Sequence, residues 1–222
     1  MIIAIDGPAA SGKSTSAKLL ADKLKFLYLD TGAMYRCIAL AVIENQIDIN
    51  NEQSLKDFIE SFKLEMRTVD GVSVFLINGE NVSKKIRTSS ISKKVSEISA
   101  IPSIRKYMVS MQRSFAKNTK CVVEGRDIGT VVFPKATIKF FMIASVEVRA
   151  KRRQLELRRL GEELTLKDLQ KDIEARDKYD SERSHSPLKK AFDAIEIDTT
   201  NMTLRDQLSV MVKNVNLKIN RK

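Results

Sequence analysis

The apolar run Met1-Ile2-Ile3-Ala4-Ile5-Asp6 leads directly into Gly7-Pro8-Ala9-Ala10-Ser11-Gly12-Lys13-Ser14-Thr15, a fit to G-x-x-x-x-G-K-[ST]. This stretch limits the fold more than any other, because such a loop needs a buried strand before it and a helix after it. Only a loop with little side-chain bulk can wrap its backbone N–H groups around a phosphate, and Gly7 and Gly12 supply that freedom. Lys13 is then expected to reach the β- and γ-phosphate oxygens of a triphosphate as a point charge, with the Ser14 hydroxyl placed to ligate Mg²⁺. The helix starting near Lys13 adds its positive end. Ala17, Leu19, Leu20 and Leu24 recur at near-helical spacing, with Lys18, Asp22 and Lys23 between them, which an incidental Gly-Ser turn would not require.

Short apolar strands alternate with helical patterns along the rest of the chain. Ile2–Asp6, Phe26–Asp30, Lys120–Glu124, Thr137–Ile143 and Ala194–Asp198 read as strands, the rhythm of a parallel sheet. The expected class is α/β, a three-layer α/β/α P-loop fold around a central parallel sheet of five strands. A long excursion separates the second strand from the third. It holds helical segments near 33–44 and 54–62, the alternating stretch Val72–Ile77 followed by Asn78-Gly79, which reads as a hairpin, and a helix from Pro102 to about Lys117. An insertion of that size predicts a separate substrate-binding lobe with a small antiparallel sheet. From Val146 to Arg183 the pattern is helical and broken near Gly161, a helical hairpin able to close as a lid, and Asn201–Lys218 reads as the last covering helix. The 222 residues are expected to form one domain, with a core of about 1–35, 118–148 and 186–222, a lobe of about 36–117 and a lid of about 149–185.

A formal net charge of +11 admits nucleic acid, a membrane surface or a small polyanionic substrate as partner. Basic residues are densest at Arg149, Lys151, Arg152, Arg153, Arg158 and Arg159, and return at Arg176, Lys178 and Arg183. Few aromatics lie beside them to stack bases, so no nucleic-acid partner is expected. A solvated basic face explains each charge singly. The whole cluster, in a protein that handles phosphates, reads better as a phosphate-facing lid, because transferring phosphoryl charge calls for arginine clamps. No apolar stretch approaches the ~20 residues of a membrane span and no signal pattern is visible, so no membrane partner and a cytoplasmic location are expected. Cys37 and Cys121 share no metal-ligand spacing and read as reduced, buried small hydrophobes. With no coiled-coil or obvious interface pattern, a monomer is expected.

Three further segments carry chemistry. In Leu29-Asp30-Thr31-Gly32-Ala33-Met34-Tyr35-Arg36, an acid, a hydroxyl, a glycine and an arginine follow a strand end, where open α/β sheets bind ligands. Asp30 or Thr31 is expected to cap the next helix, which leaves Arg36 unexplained by capping alone. In Val123-Glu124-Gly125-Arg126-Asp127-Ile128-Gly129-Thr130-Val131-Val132-Phe133-Pro134, two glycines bracket an Arg-Asp pair, which reads as backbone shaped to present those side chains or, less informatively, as a surface salt bridge in a tight turn. In Glu174–Arg183, the i, i+4 spacing sets Arg176 and Asp180 on one helical face. His185 reads as a surface or helix-end residue rather than a base. No N-K-x-D guanine-reading motif is present, which disfavours a regulatory GTPase and favours a short ATP-using kinase of a small phosphorylated acceptor.

These motifs together resemble the bacterial cytidylate kinases, the CMP- and dCMP-specific nucleoside monophosphate kinases, over essentially the whole chain. The segment from Gly125-Arg126-Asp127 to Pro134 discriminates most, since adenylate and shikimate kinases share only the phosphate loop. The resemblance implies ATP and Mg²⁺ as cofactors and CMP or dCMP as substrate. It implies that Lys13, Arg126 and Arg183 act on the transferring phosphate, and that Arg152 approaches ATP from the lid. It further implies that Arg36, Arg126 and Arg183 hold the acceptor's phosphate, that Thr31 belongs to the acceptor site, that Arg176 and Asp180 lie near the ribose, and that Ser96, Arg105 and Asp127 read the cytosine edge. Compared with common family members, Ser14 stands where some have glycine, Thr31 where some have serine, and Glu124 where some have aspartate. A kinase with broader UMP and CMP use, or a basic P-loop protein that hydrolyses ATP on RNA, are the alternatives.

Overall fold

The computed structural model describes residues 1–69, 72–159 and 161–220. In chain order its elements are β1 (Ile2–Asp6), α1 (Lys13–Leu24), β2 (Leu27–Asp30), α2 (Thr31–Glu44), α3 (Glu52–Ser61), β3 (Leu64–Val69), β4 (Val72–Ile77) and β5 (Glu80–Asn81). There follow α4 (Ser89–Ala100), α5 (Pro102–Phe115), β6 (Cys121–Gly125), β7 (Ile138–Ile143), α6 (Val146–Arg158), α7 (Leu166–Glu182), β8 (Ile195–Asp198) and α8 (Leu204–Ile219). A short 3₁₀ turn at Lys85–Arg87 and a π-turn at Ile128–Val132 complete the described elements. The chain divides into two compact units, Met1–Leu29 with Ala116–Lys222, and Asp30–Phe115.

In the first unit the sheet has the order β2-β6-β1-β7-β8, with β1 parallel to both β6 and β7, and β7 parallel to β8. This is the central five-stranded parallel sheet that the strand rhythm predicts. β1 and β6 read as continuous apolar runs because interior parallel strands are covered on both faces. Ile3, Ile5, Leu20, Phe140, Met142 and Met211 are completely buried in its core, each contributing about 1.5–3 kcal/mol of apolar burial. The register sets Asp6 opposite Gly125. The phosphate loop and the segment after β6 therefore leave the sheet side by side, at the strand ends where such sheets bind ligands.

The second unit contains the antiparallel sheet β3-β4-β5. Asn78 and Gly79, at φ 49° and 85°, make the turn that the Asn-Gly pair predicts, joining β4 to β5. The longer partner of β4 is β3, which the sequence reading leaves out because Glu65, Arg67 and Thr68 dilute its apolar residues. α2 is buried around most of its circumference, from Ala33 and Met34 to Ala41 and Val42. α4 is likewise absent from the sequence reading. Its serines and β-branched residues lower helix propensity, yet Ile91, Val95 and Ile98 form a buried i, i+4, i+7 stripe and the helix packs on α2.

Candidate active site

The phosphate loop has the backbone its glycines require. A Cβ at Gly7 would run into the Met142 carbonyl oxygen, and Gly12, at φ 91°, occupies the N-cap position of α1. α2, α6, α7 and α8 start on the side-chain caps Asp30, Ser145, Thr165 and Thr203, whereas α1 starts with no side-chain cap. Its first-turn amides are thereby left for an anion. The Ser11 hydroxyl is fully buried and lacks a hydrogen-bond partner, while Ser14 and Thr15 are exposed on the first turn. Lys13 is largely buried, its Nζ donating to the Pro8 carbonyl at 3.2 Å. Among the described residues no group of three or more His, Cys, Asp or Glu could hold a metal. The exposed Ser14 hydroxyl is the kind of single oxygen donor that would suit a Mg²⁺.

Two arginines of α6 reach the carbonyls of this loop. Arg149, only 4% exposed, donates to the Ala9 carbonyl at 3.3 Å and to the Ala144 carbonyl at 3.0 Å, and pairs with Asp177 at 2.6 Å, so α6 and α7 are tied together beside the loop. Arg152 is held by the Thr199 hydroxyl at 2.9 Å and the Thr199 carbonyl at 2.8 Å, with its Nη1 3.5 Å from the Ala10 carbonyl oxygen. Ser16 donates to Gln207 at 2.8 Å, which anchors the start of α1 to α8.

On α7, the buried Asp180 gathers three guanidinium groups. Arg126 Nε lies 2.9 Å away, Arg176 Nε 3.9 Å and Arg183 Nη1 4.0 Å. Arg126 Nη1 also donates to the Gly7 carbonyl at 3.0 Å, and Arg183 Nε to the Ser186 carbonyl at 2.7 Å. Burial by itself would raise the Asp180 carboxyl, but Arg126, Arg176 and Arg183 outweigh it and hold the group below its usual 3.8. Three positive charges against one negative leave an anion-attracting excess next to the phosphate loop. The Arg-Asp pair at 126–127 is thus no surface salt bridge: Arg126 pairs with a residue 54 positions away, and Asp127 is 3% exposed at the head of the π-turn. Gly129 serves close packing rather than a left-handed backbone, since a Cβ there would lie 3.0 Å from Lys139 Cδ and 3.3 Å from Asp6 Oδ2.

Asp6, the last residue of β1, accepts from the Ile128 N–H at 2.8 Å and the Gly129 N–H at 2.7 Å. Its burial pushes the carboxyl up to about 7; the two N–H bonds and Arg126 oppose this, and Asp127 adds to it.

In the second unit Asp30 is the N-cap of α2, accepting from the Ala33 N–H at 2.8 Å, and Thr31 is the first, buried helical residue. Between the two expected caps, the acid takes the role. One turn on, the Arg36 Nε is buried without a hydrogen-bond partner. Arg105, 5% exposed, donates to the Ser99 carbonyl at 3.1 Å and stacks 5.5 Å above the Tyr35 ring. Ser96 is half-buried on α4.

A family model described as Cytidylate kinase matches residues 3–217. The chain belongs to the cytidylate kinase family. It is 48% identical to the cytidylate kinase of Lactobacillus gasseri, over 92% of this chain and 89% of that one, and 45% identical to the cytidylate kinase of Lactobacillus johnsonii, over 98% and 95%. Its fold is similar to that of shikimate kinase from Bacteroides thetaiotaomicron, with a TM-score of 0.50 at 11% identity, covering 97% and 98% of the two chains.

Within this cytidylate kinase fold, the first unit brings Lys13, Arg126, Asp127, Arg152, Arg176, Asp180 and Arg183 around the ends of β1 and β6, and the second carries Thr31, Arg36, Ser96 and Arg105. Sequence reasoning names Asp6 only as the end of the first strand, gives it no role, counts Arg149 only within the basic cluster, and leaves out Thr199 and Gln207. An acid closing a buried strand is a visible signal for Asp6, whereas nothing near Thr199 or Gln207 in the chain points to the loop 188 and 191 residues away. His185 is exposed beyond the end of α7, as its surroundings suggest.

Proposed function

We infer that this protein is an ATP-dependent cytidylate kinase, which moves the γ-phosphoryl of ATP to the phosphate of CMP or dCMP and releases ADP with CDP or dCDP. The observation that carries this reading is the family match over residues 3–217, and the arginine cluster on Asp180 beside the Gly7 carbonyl fits the chemistry it calls for.

The attacking group is already an anion, so no general base is needed and the protein's work is positioning and charge neutralisation. Lys13, Arg126 and Arg183 act on the transferring group, Gly7 to Thr15 cradle the ATP phosphates, and Arg152 contacts ATP from the lid. Ser14 would hold a Mg²⁺, which when bound would supply further neutralisation of the triphosphate. Arg36, Arg126 and Arg183 take the acceptor phosphate, with Thr31 in the same site, and Arg176 and Asp180 take its ribose. Ser96, Arg105 and Asp127 read the base. Asp127 accepts from the cytosine amine and Arg105 donates to the ring acceptors; uracil would turn an oxygen toward Asp127, and a buried acceptor facing an acceptor is strongly rejected. Movement of the α6–α7 lid over the nucleotides excludes water and suppresses hydrolysis. A small cytoplasmic monomer is the proposed working form, and among the described residues no helix is long and apolar enough to cross a membrane.

The test is ADP release from Mg·ATP across CMP, dCMP, UMP, AMP, GMP and shikimate, with an RNA-only control and identification of the diphosphate product. Release confined to CMP and dCMP is expected. Release with RNA alone, without a nucleotide product, would replace the reading with a nucleic-acid-dependent ATPase.

A further inference from the structure

We propose that Asp6 is a positioning residue, which registers the segment bearing Arg126 and Asp127 against the phosphate loop by fastening the π-turn 128–132 to the end of β1. The proposal rests on the assignment of Asp127 to the base and of Gly7–Thr15 to ATP.

The π-turn is closed on itself by the Val131 and Val132 N–H groups, which donate to the Asp127 carbonyl at 2.8 and 3.1 Å, and by the Phe133 N–H, which donates to the Ile128 carbonyl at 2.7 Å. Its first two amides, Ile128 and Gly129, have no acceptor within the turn, as at any helical start. Asp6 supplies one oxygen to each, Oδ1 at 2.8 Å and Oδ2 at 2.7 Å. The approach depends on residue 129 lacking a side chain, because a Cβ would sit 3.3 Å from Asp6 Oδ2 and 3.0 Å from Lys139 Cδ. The adjacent Gly7 carbonyl accepts from Arg126 Nη1 at 3.0 Å. Two consecutive residues at the mouth of the ATP loop thus make three hydrogen bonds to the four residues 126–129. Glu124 and Gly125 of β6 run alongside in register with Ile5 and Asp6, so a shift of the turn displaces Asp127 while the sheet stays in place.

The arrangement needs a group with two acceptors. A carboxylate accepts from both amides, whereas an amide side chain would set its NH₂ against one of them. This requirement persists although burial opposes the charged form. The Lys139 stem packs beside the same turn, but its Nζ is turned to the Pro134 carbonyl and to Asp193, each at 2.8 Å, and gives Asp6 no donor.

The experiment compares Asp6→Asn and Gly129→Ala with the wild type in three readouts. These are KM and kcat with CMP and with UMP, equilibrium affinity for a non-hydrolysable ATP analogue, and amide hydrogen exchange at residues 128 and 129. Both variants are expected to raise KM for CMP about tenfold or more and to lower the CMP over UMP preference. ATP-analogue affinity is expected to stay within about twofold, because the loop's own backbone is untouched. Exchange at 128 and 129 is expected to accelerate in Asp6→Asn. Gly129→Ala keeps the carboxylate and serves if Asp6→Asn does not fold. Wild-type KM and preference in either folded variant would overturn the proposal, as would unchanged exchange in Asp6→Asn or an equal loss of ATP and CMP binding. A wild type inactive on CMP would instead remove the reading on which the proposal rests, leaving the exchange result to judge whether Asp6 holds the turn at all.

Discussion

Arg126 and Arg36 are two of the arginines that the proposed function gives to the acceptor phosphate, and the protein holds them in opposite ways. In the first unit Arg126 is bound on one side to Asp180 and on another to the Gly7 carbonyl, inside a group of three guanidiniums around one buried carboxylate. In the second unit Arg36 lies on α2 with its Nε buried and unpartnered. The first arrangement sets its field before any substrate is present and avoids reorganisation when charge develops. The second leaves a desolvated donor that an arriving anion would satisfy, a gain that would go into binding. Loss of Arg126 is therefore expected to cost turnover most, and loss of Arg36 to cost acceptor affinity most.

Replacing Lys13 with Met should break the first half of this contrast most severely. Turnover with CMP should fall by about three orders of magnitude while the folded state persists by circular dichroism; wild-type turnover would remove the phosphate-loop assignment. Asp180→Ala comes next. It removes the carboxylate that three guanidiniums share, and urea unfolding should show a loss of about 3–5 kcal/mol, with kcat reduced as Arg126 and Arg183 drift; an unchanged midpoint would mean that the arginines do not depend on Asp180. Arg36→Gln should have the smallest effect on stability, within about 0.5 kcal/mol, yet raise KM for CMP with ATP affinity intact. A stability loss as large as that of Asp180→Ala would erase the difference between the two units.

Acid sharpens the same comparison within the first unit. The Asp180 carboxyl is held below 3.8 in the folded protein, so its stabilisation is complete above that value and is lost as the pH falls through the folded one. Asp6 has the opposite sign. Its carboxyl is raised from 3.8 to about 7, so over that window the folded state binds a proton that the unfolded chain has released, and stability falls as pH rises toward 7. Stability of Asp6→Asn measured from pH 4 to pH 7 should lack that component of the decline.

Much of the site was legible because phosphate binding by a loop is local. Gly7, Gly12, Lys13 and Ser14 sit within eight consecutive positions, and the backbone freedom, charge and hydroxyl they need are properties of residue type. The arginine cluster was legible as a collection but not as a geometry. The i, i+4 relation of Arg176 and Asp180 can be read from helical spacing, whereas the tighter partner, Arg126, lies 54 residues away. β3 and α4 escaped for a different reason. Their stability comes from β4 and α2, against which they pack, and their own propensities are weak.

The sequence by itself determined the strand, loop and helix that open the fold, the parallel five-stranded rhythm and the family, since each depends on residue type and short-range period. The tertiary structure alone decided that Asp180 is the hub of three arginines, that Arg149 and Arg152 brace the loop carbonyls, and that Asp6 secures the turn after Asp127. These follow from a sheet order that sets β6 beside β1 across more than a hundred residues of chain. Which side chains meet at the strand ends is a matter of register and packing, and spacing along the chain does not carry it.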